Sequence, residues 1–518
     1  MSDNDAVHPD ASPPPIGQAE LRHMISRGDP AEVGAAIEAG ADVTYKAGHG
    51  YDALLDAVYG REVGRDPRLL ELLSLLVASG VDLSGISSYG ESALRVLSRI
   101  GRFDAVALLL DAGADAGHLG WKPLMEAVAL GSLSDVRALL EQGAPREDRD
   151  WWSRTPWLIA LLTGDAAKAQ LLLDCGADFS AIGRCGQPPL FYAIARHDPA
   201  MLRWLLDRGA DVHRTNEFGT TALIEAVEQD DLECVDVLLQ AGADVAVDAG
   251  TGTALYNATS REVIVRLLAA GADPTDLPHA GQRALLGLPP INGEVLATAS
   301  SDDVRRAPTR RFGTGNPERM DYAFWQAMLR SGTYAYETRR RFPAACGDMS
   351  DPVWCAQRFG QSFTLLPDGR AIQIGGEHED HYDPDFCIYN DLFVHDRDGS
   401  ISIYGYPESA FPPTDFHTAT LVGDSIYVIG RLGYAGTRGY GETPVYRLDV
   451  QTMRLERVEA GGEAPGWIYR HRATLVGPGS IRVWSGTTIS RIANDEVHER
   501  NQNVFVLDLD RLMWTQEY

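Results

Sequence analysis

From about residue 20 to residue 295, apolar residues fall in short helical stripes that repeatedly run into a single glycine. The endings "IEAGADV", "LVASGVDL", "LLDAGADA", "LLEQGAPR", "LLDCGADF", "LLDRGADV", "LLQAGADV" and "LLAAGADP" place glycines at 40, 80, 113, 143, 176, 209, 242 and 271. Three successive gaps are 33 residues. A glycine closing a Leu-rich stripe predicts a helix ended by a left-handed C-cap, a conformation that a Cβ penalises. About a dozen residues further on, a second landmark recurs in "YDALLDAV", "ESALRVL", "KPLMEAV", "TPWLIAL", "PPLFYAI", "TALIEAV", "TALYNAT" and "RALLGL". Thr155 and Thr221 stand where a helix N-cap is wanted, and Pro156 suits the first turn that follows. Small side chains at Ala160 and Ala226 let such helices approach closely. The predicted unit is therefore turn, helix, turn, helix, stacked so that neighbours bury each other's apolar faces.

These residues resemble the ankyrin repeat, most fully in "NEFGTTALIEAVEQDDLECVDVLLQAGADV" at 216–245. The histidine usual in the helix-start motif is replaced by Leu158, Phe191, Ile224 and Tyr256. The resemblance implies an all-α solenoid that binds proteins through its turn tips and first-helix face and carries no chemistry of its own. At the tips stand His49, Tyr89, Trp121, Trp151, Trp152, Glu217 and Phe218, the candidate partner-binding residues. Tyr and Trp suit that role because they bring large contact area at low entropic cost.

The last 160 residues carry a different period. "GQSFTLLPDGRAIQIGG", "FHTATLVGDSIYVIG" and "YRHRATLVGPGSIRVWSG" each read as strand, tight turn and an alternating apolar strand ending in glycine. A third strand follows in "NDLFVHDRDGS", "TPVYRLDVQTM" and "NVFVLDLDRLMW", and Gln361, His417 and His471 are equivalent positions. This pattern resembles kelch repeats, with Gly375 and Gly376 as the double glycine and Trp514 as the fourth-strand tryptophan. The resemblance implies an all-β, partial propeller. Three repeats leave a ring open, so strands from the preceding segment, "VWCAQRFG" or a second copy of the chain are expected to cover the edges. His417 and His471 are read as structural hydrogen-bonding residues.

Between the two patterns, residues 299–350 form a basic connector with "RRAPTRRF" and "TRRRF". Asn316 before Pro317 reads as a helix start, and Phe324, Trp325, Met328 and Leu329 as an apolar helical face. The expected organisation is a disordered tail at 1–17, an ankyrin array at 18–298, the connector at 299–350 and a kelch-like domain at 351–518.

The stretch "GGEHEDHYDPDFC" at 375–387 crowds metal-ligating residue types. Glu379, Asp383 and Cys387, at spacing four, are similar to the Glu, Asp, His iron motif of specifier-type kelch proteins, with His378 and His381 alongside. A cysteine stands at the third place, and adjacent side chains on an extended segment point apart. The reading is an ordered loop without metal, grouped with 431–444 and 487–503 on one face, and no cofactor is expected.

Composition adjusts this picture. The formal net charge is -27, and residues 1–300 hold 43 acidic and 23 basic residues. That disfavours nucleic acid and favours a basic protein partner. "LLELLSLLVASGV" is too short to span a bilayer, and the acidic, Pro-rich start lacks the apolar core of a signal peptide. Six cysteines without a CxxC fit a reducing cytoplasm, and arginine in place of all but three lysines points to a GC-rich bacterial genome. No GxSxG, Walker or dinucleotide motif is present. The expected function is non-enzymatic protein binding by a two-module adaptor, one version being neutralisation of a basic toxin. The alternative is a metal-dependent or small-molecule-modifying enzyme in the kelch-like loops.

Overall fold

The Leu-rich stripes become helices whose ends follow the local chemistry of their capping residues. A computed structural model describes residues 17–59, 63–347, 351–380, 383–493 and 495–517. The acidic tail 1–16, His381 and the side chain of Asp383 lie outside the described residues. The chain divides into two compact units, residues 1–254 and 255–518.

In the first unit, Thr155 accepts the Leu158 amide at the start of the helix Pro156–Thr163, and Thr221 accepts that of Ile224 before Ala222–Glu228. Asp165, Asp198 and Asp231 cap the second helices of their repeats in the same way. The glycines at 40, 80, 113, 143, 176, 209 and 242 all have positive φ, from 82° to 100°. Beyond each, the next amide reaches back to close the helix, as Ala177 does to Leu172 O at 3.0 Å and Ala243 to Leu238 O at 3.0 Å. The first helix of each pair is buried almost all round, with Trp157, Leu158, Ile159, Ala160 and Leu161 fully enclosed. In this unit the only pairing outside the helices and turns, among the described residues, is a single bridge between Thr215 and Thr221.

The second unit opens with helices, including Arg261–Ala269 and His279–Leu285, the first ending at Gly271 with φ of 94°. Strands then follow in chain order: β1 (Glu318–Arg319), β2 (Ser362–Leu365), β3 (Ala371–Ile374), β4 (Glu377–Asp380), β5 (Asp383–Ile388), β6 (Leu392–His395) and β7 (Ile401–Gly405). The next group is β8 (Thr418–Val422), β9 (Ser425–Ile429), β10 (Val445–Asp449), β11 (Leu455–Arg457), β12 (Gly461–Gly462) and β13 (Trp467–Tyr469). The last is β14 (Arg472–Val476), β15 (Ser480–Trp484), β16 (Thr487–Ile492), β17 (Asp495–Arg500), β18 (Val504–Asp508) and β19 (Met513–Glu517). Three antiparallel four-stranded meanders result: β2-β3-β6-β7, β8-β9-β10-β11 and β14-β15-β18-β19. The first gains β1 beside β7, and the third gains β12, parallel to β19. Trp514 is buried on β19, in its expected fourth-strand place.

The connector does contribute a strand, but not through the element read there. Asn316 does not start a helix: the helix Ala323–Ser331 begins after Tyr322, and the Asn316 amide instead bonds both backbone groups of Leu455 on β11, at 2.6 and 3.0 Å. An Asn side chain offers a donor and an acceptor, so it can cap a strand edge as well as a helix. Phe324, Trp325, Met328 and Leu329 are buried as expected, and Trp325 stacks on Trp354 with ring centroids 4.7 Å apart.

His417 and His471 tie successive sheets together. His417 Nε2 lies 2.8 Å from Ser362 Oγ, and His471 Nε2 lies 2.9 Å from Thr418 Oγ1, the same link one repeat later. Burial holds both imidazoles down to about 3, His417 also through the charge of His471, and burial holds His395 to about 4. Since the unfolded chain takes up these protons first, their contribution to stability is complete above about pH 6.5 and is lost as pH falls toward 3. Glu377, raised to about 7, acts in the opposite sense, losing its contribution as pH rises through neutrality. The melting temperature of this unit, followed by circular dichroism, is expected to drop by several degrees between pH 7 and pH 4.5. An unchanged value across that range refutes the assignment of neutral buried histidines.

Candidate interaction surface

The tips of the first unit are tight turns, each closed by a backbone hydrogen bond four residues long: Ala47 to Tyr51 O at 2.7 Å, Ser87 to Glu91 O at 2.8 Å, Asp150 to Arg154 O at 3.1 Å, Gly183 to Gln187 O at 3.0 Å and Asn216 to Thr220 O at 3.1 Å. Adjacent tips are joined in turn. The amide of Ser88 donates to His49 O at 2.8 Å, Trp151 to Leu119 O at 3.1 Å, Arg184 to Trp152 O at 3.0 Å and Glu217 to Cys185 O at 3.0 Å. These links make two runs of paired backbone along the ledge, one joining the tips at 49 and 88 and the other joining those at 119, 151, 184 and 217. One tip has a charged brace: Asp150 is fully buried and accepts the amides of Trp152 and Arg154 together with the Arg154 guanidinium.

The candidate residues occupy distinct places on this ledge. Tyr89 is 67% exposed, with the His49 ring 5.4 Å away, and Phe218 is 66% exposed at its own tip. Trp151 is exposed with the Arg95 guanidinium 3.5 Å from its ring. Trp152 is half-buried, its indole N–H donating to Arg95 O at 2.9 Å. Trp121 is half-buried against Phe103, with centroids 6.0 Å apart, which makes it a packing residue as much as a contact one. Glu217 is exposed, beside Gly186.

Next to this ledge lies a cavity of about 780 Å³ lined by tips and by the ends of first helices. Trp152 forms one wall, with the guanidinium groups of Arg99 and Arg184 at 5.1 and 5.3 Å from its ring. Arg196 closes the helix Pro189–Ala195 and reaches the same cavity, as does Arg65. Sequence reading missed these arginines because Arg65, Arg99 and the pair Arg184 and Arg196 come from three separate stretches of chain; Arg99 ends one first helix and Arg196 follows the last residue of another.

Residues 54–150 and 190–277 match the family model described as ankyrin repeats (3 copies). The N-terminal helical region is of ankyrin type. No curated protein matches the chain. Protein–protein interaction is the role that ankyrin repeats indicate.

In the β-rich region that follows, the stretch 375–387 is a hairpin and not the loop expected. β4 pairs with β5 antiparallel, with Glu377 opposite Ile388 and His378 opposite Cys387. Pairing satisfies backbone groups that an extended loop would leave to water, and Phe386, Cys387 and Ile388 supply the strand-forming side chains. The stretch 487–503 is likewise largely the β16-β17 hairpin, to which β13 adds a strand. Along β4, His378 points inward and is buried, while Glu379 is exposed. Cys387 is buried, and burial raises its thiol pKa, which disfavours the thiolate that a metal needs. Among the described residues no group of three His, Cys, Asp or Glu side chains converges on one point. The Glu377 carboxyl is pushed up to about 7 by burial and by the neighbouring Asp415 and Glu379. Asp415, itself raised by burial, accepts the Gly433 amide at 2.7 Å. The double glycine has a steric cause: at Gly375, φ is 58° and a Cβ would lie 2.2 Å from Thr414 O.

Among the described residues no helix is long and apolar enough to cross a membrane.

Proposed function

We propose that the protein is a non-enzymatic scaffold that holds a protein partner on the ledge of tips in its ankyrin-type region, with a kelch-like β-rich region as a second binding module. The observation that carries this reading is the row of exposed aromatic side chains, Tyr89, Trp151 and Phe218, on tips each hydrogen-bonded through its backbone to a neighbouring tip. Aromatic anchors on a rigid backbone lose little entropy on binding, which is the condition for an interaction hot spot. The kelch-like reading rests on three four-stranded meanders with equivalent histidine links and on Trp514. The net charge of -27 favours a basic partner across the outer surface as a whole.

The test is capture of a partner by the full-length protein from its source organism, repeated with Trp151→Ala and Phe218→Ala. A stoichiometric partner is expected, with affinity reduced by about 2 kcal/mol for an anchor residue. Equal capture by both variants would remove the ledge from the reading. Trp152→Ala should weaken binding too, and in addition destabilise the fold modestly, since the indole bonds Arg95 O. A two-fold comparison of affinity and chemical denaturation separates the two effects.

A further inference from the structure

The charge of the cavity beside Trp152 runs against the charge of the protein. With a net charge of -27, a random patch of this surface is expected to be acidic. Here Arg65, Arg99, Arg184 and Arg196 face one cavity, and the lining carboxylate is Glu225. Glu225 accepts from Gln229 Nε2 at 2.8 Å, and burial raises its pKa, so it offsets the arginines only weakly. Among the described residues, Arg65, Arg184 and Arg196 have no carboxylate within ion-pair distance, and Arg99 has Glu91 at 3.9 Å. By contrast, Arg154, which also lines the cavity, is buried and paired with Asp150. Arg65 meets His197 Nδ1, so among the described residues Arg184 and Arg196 are the two guanidinium groups of the cavity left without a charged or ring partner other than Trp152, a local arrangement and not a by-product of arginine abundance. The low-dielectric walls of a cavity concentrate such a field instead of dissipating it.

The volume and lining indicate what fits. A cavity of about 780 Å³ exceeds one carboxylate and accommodates several side chains of an extended peptide. Trp152, Ile100 and Ala195 give apolar surface between the arginines. Guanidinium forks bind carboxylates in two-point fashion, which a lysine could not do. A nucleic acid would bring the same anionic chemistry, but its backbone would extend past the cavity over acidic surface.

We propose that this cavity receives an acidic, partly apolar segment of a partner polypeptide, its carboxylates held by Arg99, Arg184 and Arg196 and its apolar side chains packed on Trp152 and Ile100. This rests on the ankyrin-type region being a protein-binding surface, and it names the partner's contact as acidic even though the chain as a whole is acidic. The experiment measures fluorescence anisotropy of a short synthetic peptide alternating glutamate and leucine, titrated with the full-length protein. Binding is expected, weakening as salt shortens the Debye length from about 10 Å at 0.1 M toward about 3 Å at 1 M. The exposed pair Arg184→Glu and Arg196→Glu, made together, should weaken it about tenfold or more with an unchanged melting temperature. The lysine–leucine counterpart should not compete. Absent binding, equal binding of the two peptides, indifference to the charge reversals, or tighter binding of a single-stranded DNA oligonucleotide would each overturn the proposal. Capture of a partner that depends on Trp151 and Phe218 could survive any of those results, so the two readings fail separately.

Discussion

Replacing Asp391 with alanine is expected to destabilise the second unit by about 3–5 kcal/mol, measured by urea or guanidinium denaturation of the full-length protein. The reason is the cation left behind. The Arg358 side chain is completely buried, and Asp391 is its ion-pair partner, with Nη2 to Oδ2 at 3.1 Å and a second contact through Nη1. The guanidinium also donates to Cys355 O at 2.8 Å and Gly375 O at 3.1 Å, and lies 3.5 Å from the Tyr389 ring. Asp391 in turn accepts the Trp354 indole N–H at 3.0 Å. Alanine would remove the counter-charge while the carbonyls and rings held the guanidinium in place. Substituting both residues, Arg358→Met with Asp391→Leu, should cost clearly less than Asp391→Ala alone, because no buried charge remains. If the single change cost under about 1 kcal/mol, the burial of the pair would be misjudged.

Asp150→Ala should have a comparable effect on the first unit, about 3–5 kcal/mol, and a second consequence that Asp391→Ala lacks. Arg154 bonds Asp150 through Nε at 2.9 Å and Nη2 at 2.6 Å, and Ser98 O through Nη1 at 2.7 Å, so the pair ties one tip to the first helix Ala93–Arg99, two repeats earlier in the chain. Asp150 also fixes the amides of Trp152 and Arg154 at 2.9 and 2.8 Å. Losing it frees the turn that places Trp151 on the ledge and Trp152 in the cavity wall. Binding of partner and of the acidic peptide should therefore fall together with stability. A destabilised variant that retained full affinity for both would show that the tip keeps its shape without the brace.

The features readable from sequence were those whose cause is local. A glycine after a Leu-rich helix reports a positive φ at that residue, and the φ values at 176, 209 and 242 follow from it. Thr155, Pro156 and Thr221 report helix starts through their own hydrogen-bonding capacity. The equivalence of His417 and His471 was readable because the repeat carries it, and the links to Ser362 and Thr418 show what it does. The hairpins were not legible. β4 and β17 are written "EHED" and "DEVHER", where charged residues occupy both faces and give no apolar alternation, so cross-strand pairing alone defines them. The two-residue β1 gave no periodicity at all. The arginine cavity escaped for a different reason: Arg65, Arg99 and the pair Arg184 and Arg196 come from separate stretches of chain, and the net charge hides a local reversal of sign.

The placement of β1 bears on how the chain can be cut. Glu318 and Arg319 pair with Gly405 and Tyr404 on the outer edge of the first meander, and Met320 N bonds Ile403 O at 2.8 Å. Asn316 grips Leu455 on the second meander, while Trp325 stacks on Trp354 and Gln326 bonds Ile401 O. The segment that reads as a linker is thus stitched into the sheets that follow it, at points spread over more than a hundred residues of chain. A protease that nicks the backbone between Arg341 and Trp354 should leave the fragments travelling together through gel filtration, separating only under denaturant. A recombinant piece begun at residue 351 would lack the edge strand and would turn the Trp354 ring face toward water, inviting aggregation, whereas one begun at Leu255 keeps both.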